Sequence, residues 1–145
     1  ILDAVAALLG LCDQRTYDGR PAMILESTAT TPLKCEPKIV ETQGKSILKS
    51  TPLFEFLLEN INRDRGTLAA TAQMYLAKGF WRIAKKTTNH NKTPIVFSGG
   101  VAYNRMISGY LLRHGGITNR DLPVGDGGIC YGQSYLANLA EKQGQ

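Results

Sequence analysis

No two cysteines stand at CxxC spacing, no apolar run approaches the length of a membrane span, and histidine occurs only twice. Each shortage excludes a class of protein. Cys12, Cys35 and Cys130 are an odd number set far apart, which suits free thiols in a reducing compartment better than a disulfide framework. His90 and His114 have neither a second histidine nor a carboxylate at helical ligand spacing, so no zinc site built from this chain alone is expected. The apolar start Ile1-Leu2-Asp3-Ala4-Val5 lacks the basic flank of a signal peptide. With no span either, the chain is read as cytoplasmic and without a membrane partner. Internal repeats and low-complexity linkers are missing too.

What is present is the composition of an ordinary globular domain: 145 residues, 43% hydrophobic and 20% charged. One domain spanning 1–145 can bury a core of its own at this size. The net charge of +5 invites a nucleic-acid reading, and Lys85, Lys86 and Lys92 do cluster. They fall at a helix end, where cations complement the dipole, and no aromatics interleave with them, so a nucleic-acid partner is not expected.

Leu2, Val5, Ala6, Leu8 and Leu9 recur at helical spacing, and Gly10 ends that helix. Pro21 suits the first turn of a second helix, which Thr30-Thr31-Pro32 stops. Residues 37–49 read as a hairpin hinged at Gln43-Gly44. Thr51 is expected to cap a third helix, and Asp64 a long fourth one running to Lys86 with Leu68, Ala72, Tyr75, Leu76, Gly79 and Ile83 on its buried stripe. "TPIVFSGG" has the continuous apolar character of a strand covered on both faces, and "VAYNRMISGYLLRHGG" that of one helix stopped by Gly115-Gly116. A last helix follows Gly125-Asp126-Gly127-Gly128, with Ile129, Leu136, Leu139 and Ala140 expected toward the core. This order is α/β.

The chemistry is concentrated in two glycine turns. Ser98-Gly99-Gly100 leads a strand into a helix and leaves backbone N–H groups unobstructed, an arrangement that favours a phosphate. Asn104, one turn on, carries an acceptor and donors suited to a ribose or base. The second turn sets the carboxylate of Asp126 among glycines, fit to face phosphates or their metal. Alone, either turn could be a plain tight junction or a helix cap. Together they suggest one nucleotide lying between them.

"ILDAVAALLG", "YDGRPAMILE", "FSGGVAYNR" and "GDGGICYGQ", in this order, resemble the second lobe of the carbamoyltransferase domain of the HypF hydrogenase maturation factors. That group is related to the tRNA threonylcarbamoyladenosine synthases. The resemblance implies an actin/Hsp70/sugar-kinase-like (ribonuclease H-like) lobe with a short mixed sheet flanked by helices, the nucleotide-binding half of a larger domain. It implies an ATP-dependent transfer in which carbamoyl phosphate and ATP yield a carbamoyl-adenylate. The carbamoyl group then passes to the C-terminal cysteine of a HypE-like acceptor in nickel-iron hydrogenase maturation. Carried over by position, Gly99 and Gly100 would meet the phosphates, Asn104 the adenosine, and Asp3 and Gly19 the ribose. Asp126 would be a ligand of a divalent metal, magnesium, iron or zinc, completed by two histidines of the other lobe. No catalytic residue is assigned within the chain.

Three positions depart from the family pattern. Ile24 stands where an acid takes the ribose hydroxyls, Gly125 where an Asn precedes the Asp-Gly-Gly, and Ala72-Gln73 where a Phe-His pair lies on the long helix. These departures keep open a non-catalytic module that retains the fold, and the shared motifs keep open the tRNA-modifying relative. The HxxxH motif is missing as well, so the chain is expected to be one lobe, inactive alone and able to dimerise through its exposed cleft.

Overall fold

A computed structural model describes residues 1–88 and 93–143. His90 and Lys92 therefore lie outside the described residues. The elements run α1 (Leu2–Leu8), α2 (Arg20–Thr28), β1 (Ile39–Thr42), β2 (Lys45–Leu48), α3 (Thr51–Glu59), α4 (Arg65–Thr87), α5 (Arg105–Arg113) and α6 (Ile129–Gln143). Short 3-10 turns at Gly100–Tyr103 and Asp126–Gly128 precede the last two helices. None of the described helices is long and apolar enough to cross a membrane.

The spine is α4, which begins where the Asp64 carboxylate accepts the Thr67 N–H at 2.8 Å. That backbone hydrogen bond holds the Asp64 carboxyl below the usual aspartate range. Lys85 and Lys86 complement the other end of the helix. Leu68, Ala69, Ala72, Tyr75, Leu76 and Ala77 are buried along it. So many small residues let α1, α2, α3 and α5 approach its axis closely. Gly79 is used the same way: a Cβ there would collide with the Leu48 side chain of β2.

The hairpin forms as its turn chemistry dictates. Gln43 and Gly44 take φ of 51° and 74°, both positive as a two-residue hairpin turn of matching twist requires, and Ile39 pairs with Leu48 at the open end. The Tyr75 hydroxyl accepts the Lys38 N–H at 3.1 Å and donates to the Lys49 carbonyl at 2.6 Å, so α4 clamps the hairpin at its base. All three cysteines are free, and burial pushes the Cys35 thiol up.

Four expectations need correction. Ser50, not Thr51, precedes the first helical residue of α3, and it makes no side-chain cap. Residues 95–100 form no doubly covered strand. Val96 makes a single parallel bridge with Ile117 and is 62% exposed, because only alternate side chains of this segment face protein. The helix expected over 101–114 is broken at Asn104, whose extended backbone (φ −69°, ψ 112°) starts α5 afresh. None of the four α6 residues expected inward reaches the core: Ile129, Leu136 and Leu139 are 56%, 65% and 37% exposed and Ala140 is exposed too, since α6 packs chiefly on the turn that precedes it. Among the described residues the β structure is accordingly one antiparallel pair and, separate from it, an isolated parallel bridge, within a helix-rich α/β lobe. Leu136→Ser is expected to change the unfolding free energy of the 145-residue chain by under about 0.5 kcal/mol, read by denaturant titration.

Candidate functional site

The two glycine turns meet. Phe97 N–H donates to the Ile117 carbonyl and Ile117 N–H to the Ile95 carbonyl, both at 2.9 Å, which aligns residues 95–97 beside the segment leading to the second turn. At Gly99 the backbone reaches φ 96° and ψ 178°, a conformation reserved for glycine, and its N–H donates to the Val124 carbonyl at 2.6 Å. Four residues further on, the Tyr103 hydroxyl accepts the Gly125 N–H at 3.4 Å. Residues 99–103 and 124–125 are thus stitched together at two points.

Openness differs between the turns. Apart from its own chain neighbours, a Cβ on Gly99 or Gly100 would find no atom of the described residues within 4 Å, so the space over that backbone is open among them. Gly100 and Val101 open the 3-10 turn, and their N–H groups have no acceptor among the described residues. The helix that begins here has only four residues, so an anion placed here would meet these individual N–H groups and not the α5 dipole. The true start of α5 is satisfied within the protein: Glu26 accepts the Arg105 N–H at 3.0 Å and Asn104 accepts the Ile107 N–H at 2.9 Å.

In the second turn, Gly128 is pressed against the Pro123 carbonyl, 2.5 Å from where a Cβ would lie. Asn119 holds that same carbonyl with a 3.0 Å hydrogen bond. Asp126, at the apex, is exposed. The Tyr103 ring lies 2.7 Å from where a Gly125 Cβ would stand, which explains the glycine at a position where the resembling family has Asn. The ring fills the space that the side chain would need.

Among the residues singled out from sequence, Gly99, Gly100 and Asn104 share one turn and Asp126 lies on its neighbour. Asp3 and Gly19 are elsewhere: Asp3 is exposed in the first turn of α1, and Gly19 caps α2 at φ 80°. No hydrogen bond links either to the glycine turns among the described residues. Gly19 and Glu26 are separated by roughly 10 Å of α2. Ile24 packs against the core, and its carbonyl accepts the Thr28 hydroxyl at 2.8 Å.

Asn104 turns inward instead of toward the open turn. It is 6% exposed, and besides capping α5 it donates from Nδ2 to Gln73 Oε1 at 2.6 Å. Gln73, named from sequence only as a departure from the family pattern, and Glu26 support the site in ways that were not expected. A glutamine on the buried stripe of an alanine-rich helix was the available signal, because a polar group there demands partners. Among the described residues no three of His, Cys, Asp and Glu come together as a metal would need. Asp126 by itself does not make a divalent site.

Residues 1–133 match the family described as "Carbamoyltransferase, Kae1-like Domain, second subdomain". The chain is 38% identical over 147 residues to the probable carbamoyltransferase HypF of Methanocaldococcus jannaschii, covering 92% of this chain and 18% of that protein. It is 34% identical over 145 residues to the carbamoyltransferase HypF of Rhodobacter capsulatus, with 94% and 19% covered. The crystal structure of T. kodakarensis HypF superposes with a TM-score of 0.77 at 31% identity, over 98% of this chain and 20% of that one. A crystal structure of full-length HypF in the phosphate- and nucleotide-bound form gives 0.79 at 26% identity, over 96% and 20%. The chain spans about a fifth of the length of these relatives.

Proposed function

Since the chain belongs to the HypF carbamoyltransferase family, as the second subdomain of its Kae1-like domain, we propose that it is the phosphate-holding lobe of an ATP-dependent carbamoyltransferase. The observation that carries the reading is the junction of the two glycine turns, Gly99 bonded to Val124, with the open backbone of Gly100 and Val101 on one turn and the exposed Asp126 on the other. The nucleotide and phosphate of the full-length relative support it by likeness.

In this reading the N–H groups of Gly100 and Val101 hold phosphate oxygens of ATP and of the carbamoyl-adenylate. The acceptor's cysteine thiolate attacks the carbamoyl carbon, the bond to the adenylate oxygen breaks, and AMP leaves with that electron pair. The two N–H groups offset the charge that collects on the departing phosphate, which is where fixed donors contribute most. Gly99 lets the backbone reach the position, and Asn104 fixes the turn from behind. Asp126 contributes one carboxylate toward a divalent ion whose remaining ligands come from residues outside this chain. Gly19 and Asp3 would border the ribose from α1 and α2. The acceptor, a HypE-like protein with a C-terminal cysteine, belongs to the same proposal, as does nickel-iron hydrogenase maturation.

The test is calorimetric titration of the intact protein with ATP and magnesium. Heat of binding is expected for the wild type, and about tenfold weaker affinity for Asp126→Ala, the loss of one charge-assisted contact. A wild type that gives no heat contradicts the reading.

A further inference from the structure

We infer that Gln73 on α4 is a positioning residue for the 99–104 turn, acting on the nucleotide only through Asn104. The inference rests on the nucleotide reading above. Gln73 is completely buried, and its amide is satisfied on both sides. Nε2 donates to the Leu25 carbonyl of α2 at 3.2 Å and to the Ala69 carbonyl of α4 at 3.1 Å, while Oε1 accepts from Asn104.

That wiring fixes a direction. With both Gln73 donors committed to carbonyls, only its oxygen can face Asn104, so Asn104 must present its NH2 group there. The Asn104 oxygen is then aimed at the Ile107 N–H, which is the cap that starts α5. The same residue closes the Gly100–Tyr103 turn, its own N–H donating to the Val101 carbonyl at 3.0 Å. One buried glutamine therefore joins α2, α4 and α5 and decides how the open N–H groups of Gly100 and Val101 are held. Removing its amide leaves a buried donor on Asn104 without a partner, and the turn is what can move to relieve it.

The experiment uses the full-length protein carrying Gln73→Met, which keeps the volume and removes the amide. Tyr75→Phe serves as control, because it lies on the same helix, is equally buried and breaks hydrogen bonds only to the hairpin. Amide hydrogen exchange over 99–107 and ATP affinity with magnesium are read below the melting temperature of every variant. Gln73→Met is expected to speed exchange and weaken ATP about tenfold each, with Tyr75→Phe within about twofold of wild type in both. Gln73→His, which keeps one acceptor and one donor, is expected to recover most of the ATP affinity. The inference is overturned if Gln73→Met matches wild type, or if Tyr75→Phe weakens ATP as much. If the wild type itself binds no ATP, the nucleotide reading fails. The exchange arm then decides by itself whether Gln73 holds the turn.

Discussion

Gly99→Ala is expected to lower carbamoyl transfer by the intact protein about a hundredfold, the scale of a misplacement of about 1 Å at a reacting centre. The cause is backbone geometry. Gly99 sits at φ 96° and ψ 178°, where a Cβ clashes with its own peptide units even though no neighbouring atom is near. Holding alanine there costs on the order of 1–3 kcal/mol. The chain escapes by rotating the peptide, which breaks the Gly99 to Val124 hydrogen bond that joins the two turns. Steady-state rates together with a denaturation curve check this. A large fall in rate with a modest loss of stability is the expected pattern, and an unchanged rate would show that the junction has no part in transfer.

Gly66→Val is expected to destabilise the chain by about 3 kcal/mol, the upper range for forced overpacking. Gly66 is the second residue of α4, and a Cβ there would lie 2.6 Å from the Thr28 carbonyl oxygen and 2.8 Å from the Thr30 methyl. The first of these is backbone and has little freedom, because Thr30 N–H is itself bonded to the Gly66 carbonyl at 3.0 Å. Relief requires the end of α2 to lift off α4, taking with it the Leu25 carbonyl that serves Gln73. Chemical denaturation of the wild type and the variant measures the difference. A change below about 0.5 kcal/mol would mean that α2 does not rest on this glycine.

Local signals in the sequence were read correctly where one residue dictates one geometry. Gln43-Gly44 turns the hairpin, Asp64 caps α4, and Gly10 takes positive φ where α1 stops. The family resemblance, carried by four ordered motifs, agrees with the match over residues 1–133. Failures came where the partner of an apolar face had to be assumed. Periodicity in α6 correctly finds a helix but says nothing about what it packs on, and Leu136 is left 65% exposed. Likewise, the unbroken apolar run at 95–97 reads as doubly covered, yet Val96 is left 62% exposed beside its single bridge to Ile117.

Asn104 illustrates a different limit. Within "VAYNRMISGYLL" an asparagine can be read as an interior helical residue or as the cap of a new helix, and helical periodicity favours the first. Its cap preference favours the second, and the buried acceptor on Gln73 decides the matter. No local pattern shows a bond between residues 31 positions apart. The meeting of the two glycine turns is equally non-local: each is legible as a loop before a helix, but the Gly99 to Val124 bond that makes them one site is not.

The most direct measurement is ATP affinity of the intact protein carrying Gly100→Val. Gly100 has no positive φ and, its chain neighbours apart, no atom of the described residues within 4 Å of where a Cβ would stand, so the substitution is expected to leave the melting temperature where it was. If phosphate approaches the Gly100 and Val101 N–H groups, affinity falls at least about tenfold as the added side chain blocks the way. ATP binding equal to wild type, in a protein that melts normally, would contradict the account.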